Sequence, residues 1–518
     1  MSSSENGRNS IDARRGTMPH IPGLNVKKYF AIIDIGSNSV RLVTYSGVKR
    51  VPEVVFNEKV QCALGAEVGS TGRLSDEAMA LTLSTLKRFC VLCKHAGIDT
   101  IYPVATAAMR DAENGAAFAQ TIEEETGLKI NIIDGAEEGR LSALGVISAE
   151  GKAYGMMGDL GGGSLELTLI DGRKAGETIS LPIGPLRLKA EYGDDYRAMK
   201  KYLRKTFADL ELVDKLKHHN FYMVGGAWRN IMQMMIMERS LPLPILQGFR
   251  TNAKNMDAYA KRIVNSRPSD LPFGHIISGR RQDIIPIAAL ILRELLRAFD
   301  IEDCKACAYG LREGLVYDML PDAVKSKDPF LATCKELARE RSRFAEHSRL
   351  LFDWTSTIFI GGRYDRANWE ERLHLAICYL SDIAWRGHTD FRAIKAVEQI
   401  LHGNFISLSH EERAYVAIAL NEAYGAAINA SPIREVLHIL PMKHILKARI
   451  LGAGLRLAHR LSGGTAQILY ESAVEVSKKE VRLKIAAGQG ALANRVVHKR
   501  LMQLSQLMGK SCFVDVAD

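Results

Sequence analysis

The sequence predicts an α/β fold made of two related halves, followed by a region built from helices. A hairpin with an aspartate and a glycine turn occurs twice, at Asp34 and at Asp159, and strand and helix patterns alternate around both copies. The composition changes after Pro321, where helices joined by short polar loops replace the strand patterns. The expected domains are 26–141, 142–320, 321–476 and 477–518, the last of them small and basic.

The first hairpin lies between residues 31 and 43. An apolar strand ends at Asp34, a turn of glycine and hydroxyl residues follows, and a second apolar strand comes after the turn. Consecutive N–H groups in such a turn can converge on an anion, while the aspartate offers a hard oxygen ligand for a cation. We therefore predict Asp34 as a Mg²⁺ ligand beside a phosphate site. The predicted phosphate-binding residues here are Gly36, Ser37, Asn38, Ser39 and Arg41.

The second hairpin occupies residues 158–169 and repeats the pattern of the first. Asp159 stands directly before three glycines and a serine, and alternating apolar residues follow them. A plain glycine-rich hairpin would explain this turn on its own, but two copies about one domain apart favour a shared phosphate site. Asp159 is accordingly the second predicted Mg²⁺ ligand. The phosphate-binding residues predicted in this copy are Gly161, Gly162, Gly163 and Ser164.

Strands and helices alternate between the two hairpins, as in α/β proteins that bind ligands at strand ends. The predicted elements are a helix at 75–96, a strand at 100–105, a helix at 115–126 and a strand at 129–133. The loop after the strand at 100–105 carries Arg110, which we predict to contact an anion. A surface salt bridge with Asp111 or Glu113 is the alternative.

Two adjacent glutamates, Glu137 and Glu138, stand in the first turn of the next helix. Acidic residues at this position are favoured by the helix dipole, so capping is one explanation of the pair. A second explanation comes from the surrounding motif. The segment 135–141 and the paired hairpins resemble the exopolyphosphatase and guanosine pentaphosphate phosphohydrolase family, within the actin-like ATPase superfold. In that family the segment has the sequence Gly-x-Glu-Glu-Ala-Arg-Leu, and in this chain Gly139 replaces the alanine.

Further motifs of that family follow in the same order, so that the resemblance covers about residues 27–320. The family's Gly-Gly-Thr turn is matched at Gly225 and Gly226, although the next residue is alanine. In the superfold this turn faces the nucleotide base or the outer phosphates. The closing signatures of the catalytic core are matched at 281–285 and 309–315. The resemblance gives Arg312 and its neighbour Glu313 a structural task at the domain interface.

The resemblance implies two actin-like (ribonuclease H-like) α/β domains followed by an all-helical HD-like C-terminal region. It implies that Glu138 activates the attacking water and that Glu166 assists water or metal. A strand residue facing outward is the alternative for Glu166. Clustered carboxylates raise one another's pKa, which suits a general base that works near neutral pH. A Mg²⁺ cofactor and a homodimer are further expectations from the family.

Two hydrolytic functions fit these motifs. The first is an exopolyphosphatase that releases orthophosphate from inorganic polyphosphate, and the second is the conversion of guanosine pentaphosphate (pppGpp) to the tetraphosphate. A sensor that binds polyphosphate or alarmone without hydrolysis would predict gaps in the catalytic set, yet all four carboxylates are present. A sugar kinase or chaperone-type ATPase lacks the paired-glutamate segment.

The C-terminal region resembles an HD-like domain in outline. A working HD phosphohydrolase needs an adjacent His–Asp pair to hold metal, and this chain has Ser381 and Asp382 instead. His347, His388 and His402 do not restore that pair. We therefore expect a degenerate domain that binds and dimerises.

The formal net charge of +10 is concentrated at the C-terminus. Residues 441–518 contain 13 Lys and Arg against 5 Asp and Glu, and a basic helix is predicted at 491–508. Such a concentration indicates a polyanionic partner or simply a solvated surface. Polyphosphate satisfies it as well as nucleic acid does, and the motifs favour polyphosphate.

The remaining composition predicts a cytoplasmic protein without a membrane anchor. Residues 1–25 resemble a disordered leader and lack a signal peptide's apolar segment, and no apolar run approaches the ~20 residues that span a bilayer.

Eight cysteines do not form a disulfide framework. Two pairs have zinc-like spacing, Cys90 with Cys93 and Cys304 with Cys307, but a helix and a strand there favour buried cysteines.

Overall fold

The computed structural model describes residues 29–210, 220–277, 279–344, 346–359 and 368–517, without the side chains of Arg280, Asn368 and Trp369. The predicted leader at 1–25 lies outside the described residues. No described helix combines the length and the apolar character needed to span a bilayer.

The first sheet has five strands in the order β3-β2-β1-β4-β5. Its strands are β1 (Tyr29–Ile35), β2 (Val40–Ser46), β3 (Val54–Val60), β4 (Ile101–Ala105) and β5 (Asn131–Ile132). Strands β1, β2 and β3 form an antiparallel meander, and β4 returns parallel to β1. The helices that accompany it are α1 (Val68–Thr71), α2 (Asp76–His95), α3 (Ala107–Asp111) and α4 (Gly115–Thr126).

The second sheet has six strands in the order β10-β11-β9-β6-β7-β8. Its strands are β6 (Ala153–Leu160), β7 (Leu165–Gly172), β8 (Lys174–Leu181), β9 (Asn220–Val224), β10 (Arg250–Asn252) and β11 (Asp303–Ala306). The meander β6-β7-β8 with parallel β9 repeats the topology of β1-β2-β3 with β4. The repeated pattern therefore corresponds to repeated structure.

The helices of this second half begin with α5, which precedes its sheet. They are α5 (Gly135–Glu150), α6 (Pro185–Tyr192), α7 (Tyr196–Ala208), α8 (Gly226–Glu238), α9 (Ala253–Val264), α10 (Gly279–Gln282), α11 (Ile285–Ala298) and α12 (Leu311–Asp318). Helices α5 and α12 pack against each other and share one apolar core with residues of both sheets, among them Phe30 and Tyr222. This pair of helices is thus the structural link between the two sheets.

The C-terminal region is helix-rich rather than all-helical. Its helices are α13 (Asp322–Lys325), α14 (Pro329–Arg341), α15 (His347–Ser356), α16 (Asn368–Leu380), α17 (Arg392–His402), α18 (His410–Tyr424), α19 (Ile433–Val436), α20 (Met442–Ser462), α21 (Ala466–Tyr470) and α22 (Arg495–Met508). A three-stranded sheet, β12 (Ser472–Val476), β13 (Glu480–Ile485) and β14 (Ser511–Val516), corrects the all-helical expectation. The reason is period-two burial of Val481, Leu483 and Ile485, which the surrounding charges obscure in the sequence.

Most predicted elements of the first half are confirmed. The helices predicted at 75–96 and 115–126 are α2 and α4, and the strand at 100–105 is β4. Strand β3 was missed because it is an edge strand whose residues are mostly exposed, so it lacks the alternation that marks a half-buried strand. The cysteines at 93, 304 and 307 are buried in apolar cores, as expected.

The close packing of α5 on α12 generates a test of the fold. A Cβ on Gly314 would overlap the carbonyl oxygen of Leu141, and a Cβ on Gly145 would overlap that of Gly310. Because backbone atoms cannot yield as a side chain does, Gly314→Ala should lower the free energy of unfolding by about 2 kcal/mol or more. Gly69→Ala is the matched control, since its Cβ would make only ordinary contacts. Equal denaturation curves for both variants would contradict this packing.

Candidate active site

A cavity of about 200 Å³ lies where the ends of β1, β6 and β9 meet between the two sheets. Both predicted glycine turns reach it, and so does the third turn at Gly225 and Gly226. The structure therefore brings three segments far apart in the sequence to one site. The predicted residues in its wall are Asp34, Gly36, Ser37, Asn38, Ser39, Arg41, Glu138, Asp159, Gly161, Gly162, Ser164, Gly225 and Gly226.

The two aspartate turns have the same local geometry. The N–H of Gly36 donates to the carbonyl of Ser39 at 3.1 Å, and the N–H of Gly161 donates to that of Ser164 at 3.0 Å. The turns also face each other closely, because a Cβ on Gly162 would lie only 3.3 Å from the Cβ of Ser37. The same Cβ would lie 2.9 Å from Leu186 Cδ1, so glycine at this position allows the close approach of both the opposite turn and Leu186.

The two aspartates hold different partners. Arg312 Nη1 donates to Asp34 Oδ2 at 2.6 Å, and Ser142 Oγ donates to Asp159 Oδ2 at 2.5 Å. Burial raises the pKa of Asp159, and the nearby charge of Asp34 adds to the effect. The two carboxylates are thus close enough to repel each other, which a cation between them would relieve.

Glu138 is buried at the start of α5, with 8% of its surface exposed. Capping does not explain it, because Asp134 accepts the N–H of Glu137 at 2.8 Å and caps the helix. Arg110 Nη1 donates to Glu138 Oε2 at 3.2 Å. Burial raises the pKa of Glu138 well above its usual value, and the charges of Glu166 and Asp159 reinforce the shift.

Glu166 is fully buried, which excludes the outward-facing alternative. Ser180 Oγ donates to its Oε1 at 2.9 Å, while Oε2 is buried without a hydrogen-bond partner among the described residues. Burial and the charge of Asp159 raise the pKa of Glu166 to about 7. The carboxylate lies behind the cavity wall, close enough to Glu138 for the two groups to influence each other's protonation.

Gly139, the departure from the family's alanine, has a steric cause here. A Cβ at this position would overlap the methyl group of Thr178 and lie 2.9 Å from Thr168 Oγ1 and 3.2 Å from the Cβ of Glu166. The two threonine hydroxyls are hydrogen-bonded to each other at 2.9 Å. Glycine therefore lets α5 approach β7 and β8, so that Glu138 and Glu166 come together.

Like Glu166, the predicted residues Arg110 and Gly163 lie outside the wall of the cavity. Besides Glu138, Arg110 contacts Asp111 Oδ1 and the carbonyl of Ile133, each at 3.2 Å. The carbonyl of Gly163 accepts from Arg187 Nε at 3.0 Å. Contact of Arg110 with an outer phosphate stays a prediction, and its observed partner is the carboxylate of Glu138.

Except for Arg41, the basic side chains of the cavity wall were not predicted from the sequence. Besides the predicted Arg41, the wall contains Lys59, Arg229, Arg281 and Arg312. In the described part of the chain, only Arg312 among these five forms an ion pair with a carboxylate. Burial and the neighbouring guanidinium groups lower the pKa of Lys59 to about 8. The sequence did carry a signal for Arg229 and Arg281, since both stand within matched motifs.

The oxygen donors of the site fit a hard divalent cation. Among the described residues, no group of three or more His, Cys, Asp or Glu side chains encloses a metal site by itself. Asp34 and Asp159 offer two carboxylates beside the glycine turns. Mg²⁺ commonly binds through one or two carboxylates and takes its other ligands from phosphates and water.

At the predicted HD-like site, an arginine side chain contacts the aspartate. His347, Ser381, Asp382 and His459 surround a very small cavity in the C-terminal region. Asp382 is held by Arg343, whose Nη2 donates to its Oδ1 at 2.8 Å and whose Nε donates to both carboxylate oxygens at 3.1 Å. Arg343 therefore occupies both oxygens of this carboxylate. The HD-like assignment itself stays a prediction.

Comparisons with known proteins match this chain over nearly all the described residues. The model of the "Ppx/GppA phosphatase family" matches residues 43–323, and that of "Exopolyphosphatase, C-terminal" matches residues 330–514. The chain is 24% identical over 441 residues to retrograde regulation protein 2 of Saccharomyces cerevisiae, covering 77% of this chain and 73% of that protein.

Two further likenesses cover the α/β part. The chain is 28% identical over 296 residues to a bifunctional 3-dehydroquinate synthase/phosphatase of Fusobacterium nucleatum, covering 52% of this chain and 43% of that protein. The crystal structure of an exopolyphosphatase from Cytophaga hutchinsonii shares the fold, with a TM-score of 0.52 and 23% identity over 58% of this chain and 100% of that one. The predicted fold class is confirmed for the two actin-like α/β halves, while the C-terminal region is helix-rich rather than all-helical as predicted.

The first family model alone covers more than half of the chain. The same chain has the duplicated hairpins, the facing glycine turns and the buried glutamate pair. The protein belongs to the Ppx/GppA phosphatase family.

Proposed function

We propose that the protein is a Mg²⁺-dependent exopolyphosphatase that releases orthophosphate from the ends of inorganic polyphosphate. The observation that carries this proposal is the cavity wall, which has five basic side chains and, among the described residues, no aromatic ring. Polyphosphate carries about one negative charge per phosphate and no base. A wall rich in cations and without a stacking platform suits such a substrate.

The glycine turns account for binding of the terminal phosphates. The turns at 36–39 and 161–164 both reach the cavity. Because the N–H groups of Gly36 and Gly161 are used within the turns, the remaining N–H groups and the hydroxyls would bind the phosphate oxygens. The unpaired guanidinium groups of Arg41, Arg229 and Arg281 would neutralise the following phosphates. Phosphoryl transfer depends mainly on such positioning and charge neutralisation.

Asp34 and Asp159 would hold Mg²⁺, which when bound neutralises phosphate charge and polarises the phosphorus–oxygen bond. Arg312 leaves Asp34 one oxygen for this task, since it contacts only Oδ2. Ser142 fixes the carboxylate of Asp159 from the other side. These partners keep both carboxylates pointed at the turns.

Glu138 is the proposed general base. Its raised pKa lets the carboxylate accept a proton from the attacking water at neutral pH. Arg110 fixes the position of its Oε2. Glu166 lies behind Glu138. Because ionising both buried carboxylates at once is unfavourable, Glu166 can share the proton that Glu138 accepts.

A second basic cluster supports a polymeric substrate. Arg456, Arg460 and Arg500 lie near one another on α20 and α22, and none of them forms an ion pair within the described residues. Burial and the neighbouring arginines lower the pKa of Arg456. We propose that this cluster holds a distant part of a long chain.

Guanosine pentaphosphate is the alternative substrate, and its phosphates would fit the same turns. The wall described above offers its base no aromatic partner, so we rank this activity second. A non-hydrolytic sensor is disfavoured because Glu138, Glu166, Asp34 and Asp159 are all present around one site.

Replacing the proposed base tests the mechanism. Glu138→Gln keeps the shape and the contact with Arg110 but cannot accept a proton. Phosphate release from polyphosphate should fall by on the order of 10²–10⁴-fold, while polyphosphate binding measured by calorimetry stays nearly unchanged. Glu137→Gln is the matched control, since Glu137 pairs with Arg140 at the edge of the site. Unchanged turnover in Glu138→Gln would remove Glu138 as the base.

The pH dependence follows from two groups of the site, the buried Glu166 and Lys59 on the edge strand β3. The base must be ionised, so kcat/KM should fall as the pH drops below about 7, where Glu166 beside it takes up a proton. Lys59 loses its charge as the pH rises above about 8, so the polyanion should bind less well there. We expect a bell-shaped profile for polyphosphate hydrolysis. Lys59→Arg keeps the charge and should move the alkaline limb upward; an unchanged alkaline limb would refute the role of Lys59.

A further inference from the structure

A second cavity, of about 190 Å³, lies between the α/β part and the C-terminal region. Its wall is formed by the C-terminal end of α5, by β10 and β11, and by the loop that leads into α18. It is therefore at the opposite end of α5 from Glu138 and belongs to a different site.

Most charged groups around this cavity are already paired. Arg372 donates to Asp328 Oδ2 at 2.7 Å, to Glu412 Oε1 at 3.3 Å and to the carbonyl of Ser407 at 2.6 Å. Arg250 lies 3.6 Å from Glu411. These pairs close the interface between the two parts of the chain around an open centre.

Lys305 and Glu150 are the exceptions, and both line the cavity. Within the described residues neither forms an ion pair within 4.0 Å: the ammonium of Lys305 lies 5.3 Å from the ring centroid of Tyr222, and Glu150 Oε1 accepts from Gln247 Nε2 at 3.3 Å. Burial raises the pKa of Glu150, and the positive charge of Lys305 opposes this shift from beyond contact distance. Unpaired charges inside a protein are costly unless a ligand satisfies them.

A simple anion does not suit this cavity. The N-terminus of α18 is already capped, since Ser409 Oγ accepts from the N–H of Glu412 at 3.1 Å and Glu412 Oε2 accepts from the N–H of Ser409 at 2.8 Å. The carboxylates of Glu150 and Glu412 would repel phosphate. The wall instead offers one free charge of each sign beside apolar groups of Phe249 and Leu408.

We propose that this cavity binds a free α-amino acid with a small uncharged side chain, its carboxylate at Lys305 and its ammonium at Glu150. The ligand carries the two opposite charges on groups attached to one carbon, and a small uncharged side chain suits the apolar groups of Phe249 and Leu408. Because Glu150 and Lys305 belong to the α/β part and the facing loop to the C-terminal region, the bound amino acid would strengthen their packing.

Titration of the full-length chain with each of the twenty amino acids tests the proposal directly. At least one small neutral amino acid should give binding heat in calorimetry and raise Tm. Its N-acetyl derivative lacks the ammonium and its methyl ester lacks the carboxylate, so neither should bind. No heat with any amino acid would show a cavity that holds water only. Binding of both derivatives as tightly as the parent would show that Lys305 and Glu150 do not hold the two charges, and either result would overturn the proposal.

Two variants link the binding to the named residues. Lys305→Met and Glu150→Gln should each weaken the amino acid at least tenfold, while Lys129→Met and Glu123→Gln, at exposed positions in the first half, should leave it unchanged. Inorganic phosphate is the competing probe. If phosphate gives heat that Lys305→Met abolishes and amino acids give none, the cavity is an anion site and the proposal is wrong.

Discussion

The repulsion among four carboxylates gathered at one point is the constraint on which the rest of the site depends. Asp34, Asp159, Glu138 and Glu166 converge where two glycine turns meet, and three of them have raised pKa values because they are buried near one another. Burying like charges together is unfavourable unless cations or hydrogen bonds compensate. Arg110, Arg312, Ser142 and Ser180 supply part of that compensation. A bound cation would supply the rest of the compensation.

Helix α5 connects this chemistry to the architecture. Its first turn places Glu138 in the cavity, Gly139 allows contact with the second sheet, and Gly145 allows contact with α12. Its last residue, Glu150, reaches the boundary with the C-terminal region. A single rigid helix thus touches the proposed base, the link between the sheets and the second cavity. A change at the second cavity could reach the active site through it.

Much of the fold and the phosphate turns followed from the sequence, because local patterns determine them. An aspartate before a glycine turn between apolar strands is recognisable without tertiary information, and its duplication at Asp34 and Asp159 indicated two halves that share one site. The roles of Glu138 and Glu166 came from the family resemblance. Strand patterns alone could not distinguish a buried Glu166 from an exposed one, since that depends on how α5 packs on β7.

Arg229 and Arg281 stand within motifs matched in the sequence, but the convergence of the basic wall was beyond sequence reasoning for a physical reason. Lys59 lies on an exposed edge strand with no periodic signature, and Arg229 and Arg281 reach the cavity only because β9 and α10 end beside it. The sheet in the C-terminal region was hidden likewise by charged residues between its buried positions. Convergence of such groups is a property of the tertiary structure, which no spacing rule encodes.

The central claim is that the cation-rich, base-free wall selects inorganic polyphosphate. The most direct measurement compares kcat/KM for long-chain polyphosphate and for guanosine pentaphosphate with Mg²⁺, in the unaltered protein and in an Arg456→Gln, Arg500→Gln variant. We expect polyphosphate to be the better substrate and the variant to lose activity on long chains only. Equal or faster turnover of the nucleotide, with no loss in the variant, would contradict the account.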